Sequence, residues 1–316
     1  MKFLTLINGL HSMQDVPTGT GSGIANGKNG KTIFVLDNGD YSTLQAAIDA
    51  ASQGDILLVG AKSGGWGNIT IPANMQLTIK GLQPPQAKNV IIGSVTFSPT
   101  TGANINLNEI WISNLFINTT NQQAVTFGGN VPARLRIIDC YVNSSHASSQ
   151  TILANNTGAN SSLYLYRNRL SAGTNTSPNP ILQTSIYTRI FSCDIDYSGY
   201  AINVNGGTTE INNCVISYNT SNPVIQVQSN SLLVCGNASL IQNTGVNGSG
   251  VNFNNAANSA GAFANMTFDI ATGTGKVLNG SGIVGFSDVN LVNSISGARN
   301  ISVSGTITKA AYTKLT

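Results

Sequence analysis

Two heptapeptides with the same order of apolar and polar residues follow one another near the middle of the chain, IFSCDID from Ile190 and INNCVIS from Ile211. Ile190, Cys193 and Ile195 match Ile211, Cys214 and Ile216, each pair 21 residues apart, with Ser192 over Asn213 as the small polar residue between them. The shared template is apolar, any residue, small polar, small or apolar, any residue, apolar, polar. It recurs from Ile112, Ile137, Leu165, Phe263 and Phe286, and more loosely from Ile79 and Leu233. Taken in order, the nine starts are separated by 33, 25, 28, 25, 21, 22, 30 and 23 residues. A core period in the low twenties with occasional insertions marks a solenoid whose insertions become loops. Helical repeats need longer units with apolar residues at 3.6-residue spacing, which this template lacks. The pattern predicts an all-β body of about ten coils, with rungs about 4.8 Å apart.

Within each unit, positions one, four and six are expected to face inward, which puts Ile112, Leu115, Ile117, Ile137, Val142, Leu165, Leu170, Ile190, Ile195, Ile211 and Ile216 in the core. Position three holds Asn114, Asp139, Arg167, Ser192, Asn213, Asn265 and Asp288. Asn and Asp tolerate the left-handed backbone of a sharp corner, and side-chain amides can hydrogen-bond along a stack. Ahead of the repeats, Ser42 with Gln45 three residues on forms a capping box. The stripe Leu44, Ala47, Ile48 and Ala51 then predicts a short amphipathic helix within residues 42–53, ended by Gly54. The run Ile56 to Val59 reads as a buried strand. Such a helix would cover the open core of the end coil.

Residues 1–30 stand apart, because VPTGTGSGIANGKNG is too rich in Gly and turn formers for a core. They predict an anchor arm, with an apolar segment from Phe3 to Leu10 on a leash. Two docks fit it equally: a second subunit, or the chain's own body. Residues 31–295 make the solenoid body, and residues 296–316 a last strand and tail. The opening MKFLTLINGLHSMQD has a short apolar run and no small-residue cleavage site, so no cleaved secretion signal is expected. No segment approaches the roughly 18 apolar residues of a membrane span.

The stretch YSTLQAAIDAASQGDILLVG from Tyr41 to Gly60, with NITI, LTIKGL and ISNLFIN after it, resembles the opening of the right-handed parallel β-helix proteins of the pectin lyase-like superfamily. The resemblance covers roughly residues 35–300 and implies a right-handed single-stranded parallel β-helix with a short N-terminal capping α-helix. The same coil carries lyases, esterases, glycosidases and inert viral spikes, so it implies a fold and no particular reaction. The family's acidic calcium-binding set and catalytic Arg or Lys have no matching positions here.

Composition narrows the chemistry. Charged residues are 9% of the chain, against about 25% in ordinary globular domains. A net charge of +3 and a pI near 8.7 are too slight to suggest nucleic acid as a partner. Cys140, Cys193 and Cys214 share template position four and read as stacked, buried free thiols. His11 and His146 stand outside any ligand-spaced pattern, so no metal or cofactor is expected. Of twelve acidic residues, Asp194, Asp196 and Glu210 form one local cluster. Glu210 falls over Arg189, and a surface ion pair accounts for that pair without catalysis. Triplets such as those at Asn118, Asn143 and Asn219 follow from the Asn- and Ser-rich composition and are not read as glycosylation sites.

The columns beside position one carry the candidate site. One contains Trp111, Arg136, Tyr164, Arg189 and Glu210; the other contains Ser113, Ile138, Tyr166, Phe191 and Asn212. Ile138, Tyr166 and Phe191 on successive coils predict an exposed apolar stripe beside Arg and aromatic neighbours. It suits a subunit interface, a surface under an inserted loop, or a platform that stacks sugars.

The favoured expectation is a structural component of a virus particle, in the first place a bacteriophage: a spike, fibre or capsid-decoration protein on the virion surface. Trimerisation is implied by the resemblance to tailspikes. Capsid or tail proteins, met through the arm, and host glycan are the expected partners. The alternative is a polysaccharide lyase or glycoside hydrolase acting on cell-surface glycan. A glycan-binding adhesin without turnover is the third reading.

Overall fold

A computed structural model of the chain describes residues 30–83, 90–102, 104–146, 150–172, 180–197, 201–218, 222–237, 239–244, 248–254, 259–270, 276–292, 301–304, 307–309 and 314–315. The expected anchor arm lies outside the described residues, apart from Gly30.

The described strands stack in three columns. The first begins with Thr32–Val35, Ile56–Val59, Gln76–Gly81 and Glu109–Ser113, and continues through Arg134–Ile138, Ser162–Tyr166, Tyr187–Phe191, Gly207–Asn212 and Ser231–Gly236. The second contains Phe116–Thr119, Tyr141–Ser144, Arg169–Ser171, Asp194–Tyr197, Val215–Tyr218 and Leu240–Asn243. Ala260–Ile270 and Ile283–Val292 run through both columns and merge them into one 20-stranded sheet. The third column is a ten-stranded sheet from Ile69–Ile71 to Ile301–Ser304. The pairings within each column are parallel. The chain is an all-β parallel β-helix of about nine turns with one short α-helix.

Like residues do lie over like. Ile190 pairs in register with Ile211, and Ile195 with Ile216. The inward positions named from the template are all buried. The seven position-three residues all take the left-handed backbone, with φ between 49° and 57°. Arg167 and Ser192 do so without the Asn/Asp preference, and Arg167 is held by Asp139 one coil earlier through two bonds of 2.7 Å. The loose match from Leu233 is two residues out of register. Cys235 pairs with Ile211, and the left-handed corner falls at Asn237. Ile241 rather than Leu240 then pairs with Ile216, so an extra residue is absorbed at that corner.

Position four does more than fill space. At the corner a strand N–H loses its ladder carbonyl, and the side chain one coil on supplies an acceptor instead. The Cys140 N–H donates to Asn168 Oδ1 (2.9 Å), the Asn168 N–H to Cys193 Sγ (3.4 Å), the Cys193 N–H to Cys214 Sγ (3.4 Å) and the Cys214 N–H to Ser239 Oγ (3.3 Å). The thiols in turn donate to carbonyls, as Cys214 Sγ does to Asn212 O at 3.1 Å. The three cysteines are buried and free; they are corner acceptors as well as packing groups.

Burial pushes the Cys140 thiol up to about 12 from 9.0, and raises Cys193 and Cys235 as well. A folded value above the unfolded one means the thiol's contribution is complete below about pH 9. It is lost as pH rises towards 12, at about 1.4 kcal/mol per pH unit while only the unfolded chain has released its proton. Urea titrations at pH 8 and pH 10 are expected to show a smaller loss of stability in Cys140→Ser than in the native chain. Equal losses in the two proteins would refute the buried-thiol assignment.

The capping helix is shorter than expected, at Leu44–Ala50, and its N-cap is Thr43, not Ser42. Thr43 has the extended backbone an N-cap needs, and its Oγ1 accepts from the Ala46 N–H at 3.1 Å. Gln45 does not close a capping box. Its Oε1 accepts from the Thr70 N–H (2.7 Å) and its Nε2 donates to the Thr70 carbonyl (2.9 Å), so it serves the edge of the first strand in the third column. The helix ends at Ala51, and Gly54 (φ 87°) instead makes the turn into Ile56–Val59. Leu44, Ala47 and Ile48 are fully buried over the end coil. The strand Thr32–Val35, which the template does not reach, precedes the helix and pairs with Ile56–Val59.

Candidate functional site

The outward side of the first column contains the candidate residues as a ladder. Register places Trp111, Arg136, Tyr164, Arg189 and Glu210 over one another on five successive coils. The Arg136 guanidinium lies between two rings, 4.4 Å from the Trp111 centroid and 4.6 Å from that of Tyr164. Its Nε donates to Glu109 Oε1 at 3.0 Å, and Arg134 Nη1 approaches the same oxygen at 3.3 Å. Arg136 is 4% exposed and Glu109 3%. An ion pair this buried is held by paired charge, hydrogen bonding and cation–π contact together.

Further along, Tyr164 stacks with Tyr166 and meets Tyr187 edge-on, each at 6.1 Å between centroids. Tyr166 also packs against Phe191 at 6.1 Å. Arg189 Nε faces Glu210 Oε2 at 3.5 Å, and neither atom has a hydrogen-bond partner. Burial and then the Glu210 carboxylate raise the Tyr187 phenol. Burial raises Tyr166 too, against the opposing pull of Arg189 and Arg136.

The expected exposed stripe is not exposed. Ile138 and Tyr166 are each 5% exposed, and Phe191 is half-buried. Large side chains in register on rungs about 4.8 Å apart bury one another's flanks, so the outward column becomes a close-packed second layer. The accessible surface of the site is provided by the half-buried Trp111, Tyr164, Tyr187, Arg189 and Phe191.

Sequence reasoning missed the continuation of this face towards the C-terminal coils. Above Glu210 the outward residues are Leu232 and Val234, then Ala260, Ala262 and Ala264, then Ile283, Gly285 and Ser287. This terrace contains no charged residue, with Leu232 37% and Ile283 57% exposed. The alternation of outward with inward apolar residues in this column could have revealed it, but small residues leave no conspicuous pattern.

The acidic cluster is not brought together. Glu210 lies in the first column, whereas Asp194 and Asp196 lie beyond the corner in the second, both exposed. No group of three or more His, Cys, Asp or Glu able to hold a metal occurs among the described residues. Glu109, Asp139 and Glu210 each face an arginine. Asp55 accepts from the Lys31 and Ser52 N–H groups. A separate depression at the junction of the third and first columns is lined by Asn104, Ile105, Leu107, Pro132, Ala159 and Asn160, which carry no titratable side chain.

The fold and this face define a parallel β-helix protein with a packed aromatic–guanidinium ladder leading into an uncharged terrace. No protein-family model matches the sequence, and no curated protein matches it. Among solved structures it is similar to the deglycosylated pectin methylesterase of Aspergillus niger, at 15% identity over 90% of this chain and 87% of that one, with a TM-score of 0.33.

Proposed function

We propose that this protein is a non-catalytic structural rod that associates with copies of itself through the first column, as a trimer, in a spike or decoration layer of a virus particle. The observation that carries the self-association is the uncharged terrace of Leu232, Val234, Ala260, Ala262, Ala264, Ile283, Gly285 and Ser287. Depletion of charge is the part of an interface-core signature that the terrace carries, and the aromatic and Arg residues enriched in such cores lie on the adjoining ladder. From the Trp111 strand to the Ile283 strand the face spans eight coils, about 34 Å on rung spacing and about 16 Å across on residue spacing. That gives roughly 550 Å² per copy, at the small end of specific interfaces. The virion, with a bacteriophage first, is proposed on the resemblance of the sequence to tailspike-like chains.

Light scattering on the eluting protein is expected to give a trimer for the native chain and a monomer for Ala262→Arg. Gln226→Arg, on the uncharged third column, should leave the trimer intact. A native monomer at roughly 100 μM, or equal disruption by both variants, would remove the interface; the first threshold is set by the weak end of specific association. Peptide mass spectrometry of density-purified particles tests the location, and absence of the chain from them excludes the virion.

A further inference from the structure

Three of the exposed large apolar side chains gather at the N-terminal end of the body: Phe34 (57%), Leu36 (42%) and Leu82 (47%). Phe34 and Leu36 are two residues apart on one extended segment and so face the same way. The Gly60 N–H donates to Val35 O and the Leu82 N–H to Val59 O, both at 2.9 Å, so Leu36, Gly60 and Leu82 continue the ladder on three successive coils. A Cβ on Gly60 would come 2.8 Å from Leu36 Cδ2. Leu36 therefore lies over the bare backbone of Gly60, on the side of the coil that carries Leu82, and the three make an apolar shelf with Lys80 at its rim, in register with Leu58 and Phe34. Beside it, Thr32–Val35 has a strand partner on one edge only among the described residues, Ile56–Val59. An open strand edge beside exposed apolar side chains is a template for one more strand.

The sequence supplies a strand of matching chemistry. FLTLINGL, from Phe3 to Leu10, is an apolar run whose only polar side chains are Thr5 and Asn8. It is joined to Lys31 through a segment rich in Gly, Ser, Thr and Asn. A chain of that kind and of about 20 residues averages about 25 Å end to end, farther than the shelf lies from Lys31. The tether then keeps the segment near the shelf at an effective concentration in the millimolar range, above that of any second chain in dilute solution.

We propose that residues 3–10 dock on their own body, pairing with the open edge of Thr32–Val35 and covering Phe34, Leu36 and Leu82. The docked segment completes the N-terminal end of the solenoid, where the helix Leu44–Ala50 already covers the core. Of the two docks the sequence allows, this commits the arm to the body of the same chain.

The test uses the full chain. Hydrogen exchange of the Thr32 and Phe34 amides, which point to the open edge because the Lys31 and Val35 carbonyls face Ile56–Val59, is expected to accelerate at least about tenfold when residues 1–10 are removed. Phe34→Ser in the full chain should raise exchange in residues 3–10 reciprocally. An Ile7→Cys, Leu82→Cys double variant, oxidised and run without reductant, is expected to give the cross-link within single chains. Cross-links only between chains would assign the arm to a neighbour and overturn the proposal. Unchanged exchange at both segments would overturn it as well.

Discussion

Replacing Arg136 by alanine is expected to lower the unfolding free energy by about 3–5 kcal/mol, far more than a surface ion pair would. Arg136 Nε is bonded to Glu109 Oε1, and the two residues are 4% and 3% exposed. Removing the guanidinium leaves the carboxylate in a site that water reaches poorly. Arg134 remains 3.3 Å from the same oxygen but is itself partly exposed, and relieves only part of that loss. Both faces of the guanidinium also lose ring contacts, to Trp111 and Tyr164. The double variant Glu109→Gln, Arg136→Met removes the orphaned charge and keeps the volume between the rings, so it should recover more than half of the loss. Urea unfolding followed by circular dichroism reads both. A cost below about 1 kcal/mol for Arg136→Ala would place the pair in ordinary surface chemistry.

The same residues show how far the sequence reaches. Ile190 over Ile211 and Cys193 over Cys214 could be read directly, because a solenoid repeats its backbone and so repeats its steric demands. The left-handed corner at position three was legible for the same reason. The register at Leu233 was not, since the extra residue between Asn237 and Leu240 breaks the heptapeptide spacing while the stack continues. Third-column strands such as Val125–Phe127 and Ile152–Ala154 are three residues long and follow insertions of varying length, so they hold no fixed offset from the template. For the candidate site, the columns were legible and the burial was not. Which side chains face outward follows from alternation, but that Ile138 and Tyr166 are covered depends on the size of their neighbours on adjacent rungs. The terrace from Leu232 to Ser287 was hidden by the smallness of Ala260, Ala262 and Ala264.

Asn168 breaks the cysteine pattern at position four, and its substitution is the second large effect expected. Its Oδ1 accepts from the Cys140 N–H at 2.9 Å, and its Nδ2 donates to the Ile137 carbonyl at 2.7 Å. The residue is buried, so Asn168→Ala strands the Cys140 N–H, while the Ile137 carbonyl loses its second donor and keeps the Tyr166 N–H that the parallel register gives it. At about 1–3 kcal/mol for an unsatisfied buried group, the expected loss is about 2–3 kcal/mol once the lost second bond to Ile137 is added. Asn168→Cys should cost less, because a thiol there can accept from the Cys140 N–H as Cys193 and Cys214 do for the N–H groups one coil earlier. That ordering separates a corner acceptor from a space filler, since Ala and Cys both leave the Ile137 carbonyl without its second donor. Because each coil contacts mainly its neighbours, the loss should be local, with faster hydrogen exchange at Cys140 and little change beyond the adjacent coils. Equal stability for the Ala and Cys variants, or an unaltered Cys140 amide in Asn168→Ala, would show that the corner does not depend on this side chain.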